Sequence, residues 1–455
     1  MIRSLKILSE KIRAEYIGED VSITGAHINS QEIKPGELFI AIKDRRDGHR
    51  FIDDAVKNGA KAVIVSERQK NLPITQIVVK DTRKALFDLA LSHREHFDMP
   101  VLAVTGSCGK TTTKEMLLSI LSDFGKAFAS PGNFNNALGV PLTILSAPTD
   151  CHYLILEAGT NSPGEIAHLA KLIRADIAGI TNVSASHLEK LLSLDGVMTE
   201  KGALLSSLKQ NGIAIINRDD RRINNYAQSL SCRCIDFSLS DKTADIYLKS
   251  HCANDTGFNY SIEIKGRTYE NTLNLPGLHN LQNALMALSY VYAIGLDPDQ
   301  AMLALSRFQA YQGRFSLKKL TPEVSLIDDT YNASVKSVEA AINTLSQFEG
   351  RKVLVLGNMG ELGASEDDYH RQVGKWIEEA KIDHIYLYGN RQLMQHVLNQ
   401  VTTGASYIET KTEIIKAIKA LLAQQEPTLI VIKGARANKM EEIIKALSKH
   451  SQNSD

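Results

Sequence analysis

The sequence predicts an α/β protein in three units, with largely parallel sheets in the second and third. Three observations carry that expectation. At 455 residues the chain is too long for one ordinary core. Short Val- and Ile-rich strands alternate with helix-compatible segments over most of its length, the pattern of parallel sheets covered on both faces. One of those strands, Val101 to Val104, runs straight into a glycine-containing loop and a helix start.

The first unit, residues 1–81, begins with a helix and continues through expected strands at Val21 to Thr24, Glu37 to Ile42, Ala62 to Val65 and Gln76 to Val79. Lys34-Pro35-Gly36 is a turn by composition. The polar loop Asp44 to Arg50 reads equally well as a grip for a diphosphate or as a solvated turn. A helix from Thr82 to about His96 opens the second unit, residues 82–312, and Asp98-Met99-Pro100 ends it.

In the second unit, Thr105-Gly106-Ser107-Cys108-Gly109-Lys110-Thr111 joins the strand to a helix expected over Thr112 to Leu121. Glycines let the backbone approach an anion, the helix start offers unpaired N–H groups, and Lys110 adds positive charge. The strict phosphate-loop spacing fails, because Val104 stands where its first glycine belongs, and a plain glycine turn with a solvated lysine is the rival reading. The strand Tyr153 to Glu157 ends in a carboxylate, an arrangement that presents Glu157 to a magnesium ion beside such a loop. Strands Ile177 to Ile180 and Ile213 to Ile216 follow, with a helix from about Leu194 carrying Glu200 and Lys201 between them. Residues 230–275 read as an antiparallel ribbon. Behind it comes a long helix on which Asn280 and Asn283, three apart, share a face and can offer amides to an adenine edge.

The third unit, 313–455, alternates strands near Ser325 to Ile327, Val353 to Leu356, Ile385 to Leu387 and Leu429 to Ile432 with helices, a doubly wound pattern. Gly357 is followed by Asn-Met-Gly-Glu-Leu-Gly and not by Gly-x-Gly-x-x-Gly, so no dinucleotide site is expected. The polar tail after Leu447 is expected to fray.

Composition bounds the function. Lys+Arg and Asp+Glu are equal at 52 each, so no global field draws the chain to nucleic acid or an anionic membrane, and an anionic ligand must be held locally. No apolar run is long enough for a signal peptide or a membrane span, which makes the cytoplasm the expected location; a monomer is expected. The five cysteines are scattered, and reduced structural thiols are expected; Cys232-x-Cys234 alone is only half of a metal site.

Taken together, several segments resemble the Mur ligase family, most closely its MurF type. They are Thr105 to Thr113; Gly132-Asn133-Phe134-Asn135-Asn136; Glu157 with Gly164-Glu165-Ile166; Ser186-His187-Leu188-Glu189; Leu278 to Asn283; Gly313-Arg314-Phe315; Asp328 to Ser334; Leu356 to Gly363; and Lys433 to Arg436. The resemblance runs nearly end to end. It implies an N-terminal unit for a UDP-sugar, a central P-loop-type ATPase unit and a C-terminal Rossmann-like unit for a dipeptide. The implied activity is ATP-dependent amide formation between UDP-MurNAc-tripeptide and D-alanyl-D-alanine, with ATP and magnesium as cofactors. Carried over by position, Gly106, Ser107, Cys108, Gly109, Lys110, Thr111 and Thr112 would cradle the phosphates, and Lys110 would reach the β and γ groups. Asn280 and Asn283 would face adenine, Asp329 the ribose and Arg314 the γ-phosphate. Thr111, Glu157, His187 and Lys201 would be the metal set, with Lys201, fourteen residues after His187, where these ligases keep a carbamylated lysine. Lys110, Lys201, His187 and Arg314 are the implied catalytic residues. Three departures stand out: Asn29-Ser30-Gln31 replaces an acidic-Ser-Arg run, Arg46 replaces an aromatic in a shortened loop, and Lys190-Leu191-Leu192 lacks the usual glycine. A folylpolyglutamate-synthase type of ligase, a nucleotide-gated binding protein and a P-loop phosphotransferase are the alternatives.

Overall fold

The computed structural model describes residues 4–424 and 426–451. Its strands form three sheets of five, nine and six. The first sheet runs Glu15–Ile17, Thr75–Val78, Ala62–Val65, Leu38–Ile40, Ala26–His27, parallel except for the antiparallel pairing of Glu15–Ile17 with Thr75–Val78. The expected strand Val21 to Thr24 is not part of that ladder. Val21 gives its carbonyl to the Leu5 N–H at 3.0 Å, at the start of the first helix, and the ladder forms at Ala26–His27 instead.

Seven parallel strands make up most of the central sheet, and Val101–Thr105 lies inside it between Tyr153–Glu157 and Ile177–Ile180. All five residues of that strand are buried, as a β-branched strand covered on both faces must be. The ribbon expected over 230–275 is only partly antiparallel. Ile246–Ala253, Phe258–Ile264 and Arg267–Leu273 pair antiparallel, but Arg233–Ser238 runs parallel to Ile213–Asn217. The helix Arg221–Ala227, capped by Asp220, lies between those two, and a strand that returns through a helix comes back parallel.

The third sheet has the order Ser316–Lys319, Val324–Asp329, Thr428–Lys433, Arg351–Gly357, His384–Tyr388, Ala405–Tyr407, with only the first pair antiparallel. Separate apolar clusters cover its two faces, which is the doubly wound arrangement. The final helix, Glu441–Ser451, continues past Leu447, where fraying was expected, and residues 452–455 of the tail lie outside the described residues.

The first two sheets are not independent bodies. One apolar core contains Leu5, Leu8, Ile23 and Leu38 together with Val101, Leu154 and Leu169. The helix Thr82–Arg94, started by the Asp81 cap, ties them further. Its buried Arg94 donates from Nε to Ile173 O at 2.9 Å and from a terminal nitrogen to Arg174 O at 2.8 Å, which satisfies carbonyls at the end of Glu165–Ile173. Among the described residues no helix is long and apolar enough to cross a membrane, and all five cysteines are free.

Candidate functional site

The helix after the glycine loop is Lys110–Ser122, with Gly109 at its N-cap in the left-handed region at φ 83°. A Cβ there would lie 2.3 Å from Asn283 Oδ1, so only glycine lets the loop close against the Asn280–Asn283 helix. Thr113 N–H donates to Gly109 O at 2.9 Å, which begins the helical ladder and leaves the amides of Lys110, Thr111 and Thr112 without intrahelical partners. The amides of Ser107 and Cys108 are spent internally, on Asn182 O at 2.9 Å and Asn182 Oδ1 at 3.1 Å. Anion-binding capacity therefore concentrates at the helix start. Lys110 Nζ donates to Gly106 O at 2.8 Å and arches over the loop. Burial pulls its ammonium below the usual lysine range, with Glu157 opposing that shift.

Glu157 stands at the end of its strand, as the sequence predicts, and both its oxygens are engaged. Thr111 Oγ1 donates to Oε2 at 2.9 Å and Asn135 Nδ2 donates to Oε1 at 2.7 Å. Thr111 and Glu157 are thus brought together as a pair of oxygen donors at the loop. A magnesium ion takes one or two carboxylates plus phosphate oxygens and water, so this pair fits it without a larger cage. Among the described residues no group of three His, Cys, Asp or Glu side chains is arranged to hold a metal. His187 turns elsewhere: its Nδ1 lies 2.5 Å from Glu361 Oε2, across to the third unit, and this contact holds the Glu361 carboxyl below its ordinary range.

Lys201 is 1% exposed on the helix Leu194–Ser206 and has no hydrogen-bond or ion-pair partner among the described residues. Burial and the nearby Lys110 cation bring its pKa down to about 7. Its neighbour Glu200 is structural: it accepts from Gly164 N–H at 2.6 Å and Ile166 N–H at 2.7 Å and so caps Glu165–Ile173.

The third unit closes the other side. Arg314 donates to Thr111 Oγ1 at 3.3 Å, and Cys108 Sγ sits 2.9 Å from Ser334 Oγ. Asp329, expected at a ribose, forms a buried ion pair with Lys433, and burial pushes its carboxyl up against the pull of that ammonium. Asn280 donates to Pro276 O at 2.7 Å, and Asn283 accepts from Thr113 at 3.4 Å. Around these groups lies a cavity of about 600 Å³ that takes lining from all three units: Asp44 from the first, Arg83, the loop and Glu157 from the second, Arg314 and Lys433 from the third.

Sequence reasoning passed over four contributors. Asn135 and Glu361 lay inside quoted motifs but had no assigned role. Asn182 follows the strand Ile177–Ile180, and strand C-termini are where such residues collect, so position alone could have flagged it. Tyr331, 3.7 Å from the Arg314 guanidinium carbon at its ring centroid, also lay inside a quoted segment, Asp328 to Ser334, without an assigned role.

The chain matches family models described as Mur ligase family, catalytic domain, over residues 22–94, Mur ligase middle domain over 104–291, and Mur ligase, glutamate ligase domain, over 313–436. It is 36% identical over 98% of both chains to UDP-N-acetylmuramoyl-tripeptide--D-alanyl-D-alanine ligase of Escherichia coli (strain K12). The chain belongs to the Mur ligase family. The Mur ligase of the same name from Bacillus subtilis (strain 168) is 33% identical over 98% of each chain. Among solved structures, MurF from Acinetobacter baumannii superposes with a TM-score of 0.89 at 30% identity over 99% of each chain. MurF ligase from Thermotoga maritima in complex with ADP gives 0.83 at 28% identity, over 95% of this chain and 98% of that one. Folylpolyglutamate synthase from Mycobacterium tuberculosis shares the fold, with a TM-score of 0.66, but only 16% identity.

Proposed function

We propose that this Mur ligase joins D-alanyl-D-alanine to UDP-MurNAc-tripeptide at the expense of ATP, giving UDP-MurNAc-pentapeptide, ADP and phosphate. The observation that carries the reading is the cavity: a phosphate loop, an acid at a strand end and side chains of both flanking units line one space. On this reading residues 1–81 take the UDP-sugar, 82–312 the nucleotide and 313–455 the dipeptide, in a cytoplasmic monomer.

The chemistry requires that geometry. A carboxylate resists attack by an amine because it is already anionic, so its oxygen must first become a leaving group. The tripeptide's terminal carboxylate takes the γ-phosphoryl group of ATP and becomes an acyl phosphate; ADP is released. The neutral amine of the dipeptide then attacks the acyl carbon and phosphate departs with the electron pair of the broken C–O bond. Lys110 and Arg314 converge on the loop, where they offset negative charge as it gathers on the transferring group. Amides of Lys110 to Thr112 hold the phosphates in line. Thr111 and Glu157 would hold magnesium, which would supply further charge neutralisation, with Lys201 as a further ligand; His187, engaged with Glu361, would have to leave that contact to join them. A bare ammonium at Lys201 would repel that ion, whereas its carbamate would be an anionic oxygen donor; an amine with a pKa of about 7 is neutral often enough to add CO2. Closure of the three units keeps water from the acyl phosphate.

Product analysis tests the assignment. Incubated with ATP, UDP-MurNAc-tripeptide and D-alanyl-D-alanine, the protein yields a species of pentapeptide mass; incubated with a folate and glutamate, it yields none. Glutamate addition to the folate, with no pentapeptide, would replace this function by that of the folylpolyglutamate type.

A further inference from the structure

Arg314 lies in the link between the second and third sheets, and its side chain is held from outside that link. Its guanidinium carbon stands 3.7 Å from the centroid of the Tyr331 ring. One terminal nitrogen donates to Thr111 Oγ1 at 3.3 Å, while Nε is buried without a hydrogen-bond partner. Tyr331 is fixed in turn. Its N–H donates to Gly313 O at 3.2 Å, and a second guanidinium, that of Arg436, lies 5.9 Å from the same ring. Among the described residues the Tyr331 hydroxyl has no hydrogen bond. The ring, not the hydroxyl, makes the contact.

Stacking suits this job. It holds a guanidinium by its face and leaves the in-plane N–H groups available, whereas an ion pair would consume them and cancel the charge. We infer that Tyr331 is a positioning residue for the reaction, whose ring face sets the Arg314 guanidinium over the phosphate loop. The inference rests on the reading of Arg314 as a charge partner of the transferring phosphoryl group. It also ties that partner to the third unit. Tyr331 follows the strand Val324–Asp329 of the third sheet, whereas Thr111 belongs to the second, so the guanidinium reaches its place only when the two sheets are docked.

Four variants test it in steady-state kinetics with ATP, UDP-MurNAc-tripeptide and D-alanyl-D-alanine: Arg314→Met, Tyr331→Leu, Tyr331→Phe and the Arg314→Met/Tyr331→Leu double variant. Tyr331→Leu is expected to lower kcat roughly 3- to 30-fold, the range a cation–π contact can supply, with the KM for ATP changed by less than about threefold. Tyr331→Phe restores kcat to within about twofold of the parent, because the ring is kept. In the double variant the Tyr331 change adds nothing to the loss already caused by Arg314→Met, since a residue acting through another has no effect once that other is gone. Should Leu lower the thermal midpoint, Tyr331→Met, longer and unbranched, takes its place. A Phe variant as slow as Leu, a loss that multiplies in the double variant, or a Leu variant as fast as the parent beside a slow Arg314→Met would each overturn the role of the ring. Parental turnover in Arg314→Met would instead remove the reading of Arg314 itself, and the inference with it.

Discussion

An ammonium buried without a partner is costly, and Lys201, proposed above as a metal ligand, is the residue that bears that cost. The sign of its effect on stability follows from proton counts. Between about pH 7, its value in the fold, and 10.5, its ordinary value, the unfolded chain keeps a proton that the folded chain lacks, so stability rises with pH across that window. Below about pH 7 both states hold the proton and the whole burial cost applies. Lys201→Met should therefore be more stable than the parent at about pH 6 in carbonate-free buffer, by a margin that shrinks as pH climbs towards 9. Urea unfolding at a series of pH values measures this, and a margin that stays constant with pH speaks against a neutral amine. At this scale the sequence is legible where a residue's role is fixed by its own element. Lys110 follows a glycine at a helix start, and Glu157 ends an apolar strand; both stand where the spacing puts them. Tyr331, Asn135 and Glu361 were opaque because their partners come from distant segments, Arg314, Glu157 and His187. No local pattern encodes such a meeting.

Elements were easier to read than their directions. Val- and Ile-rich runs bounded by turns located Ala62–Val65, Tyr153–Glu157 and Ile177–Ile180 without error, because a strand buried on both faces admits little else. Arg233–Ser238 was placed in an antiparallel ribbon because alternation gives a strand but not its direction, which the crossover helix decides. The segment after His187, where a glycine is missing, keeps the glycine's conformation all the same: Leu192 has φ 65° and ψ −35° and is 82% exposed. A leucine pays for that backbone and gains no burial in return. Leu192→Gly should stabilise the protein by about 1 kcal/mol, the order of the steric cost of a positive φ on a residue with a Cβ. The shift in urea midpoint at unchanged m-value reads it. An unchanged or lower midpoint would mean that glycine's greater unfolded-state freedom cancels the relief.

At the scale of the whole molecule, three sheets converge on one cavity, yet they are joined unequally. The first and second share an apolar core. The second and third meet at the cavity through polar contacts such as His187 with Glu361, Arg314 with Thr111 and Cys108 with Ser334. The Asp44–Arg83 pair at the cavity wall is 2.8 Å long but 63% and 44% exposed, and an ion pair so wet is too weak to hold the cavity shut. Of these two joints, the second to the third is the one that carries these polar contacts, beside an apolar patch where Ala185, Leu188 and Leu194 pack against the third unit, and on the proposed mechanism its closure over ATP would let an activated carboxyl group meet an amine before water does. The direct test is ADP release, coupled to a spectrophotometric readout, with ATP and UDP-MurNAc-tripeptide, with and without D-alanyl-D-alanine. Sustained release that requires both substrates and matches pentapeptide formation one for one is the predicted result; sustained release driven by the tripeptide alone and indifferent to the dipeptide would contradict it.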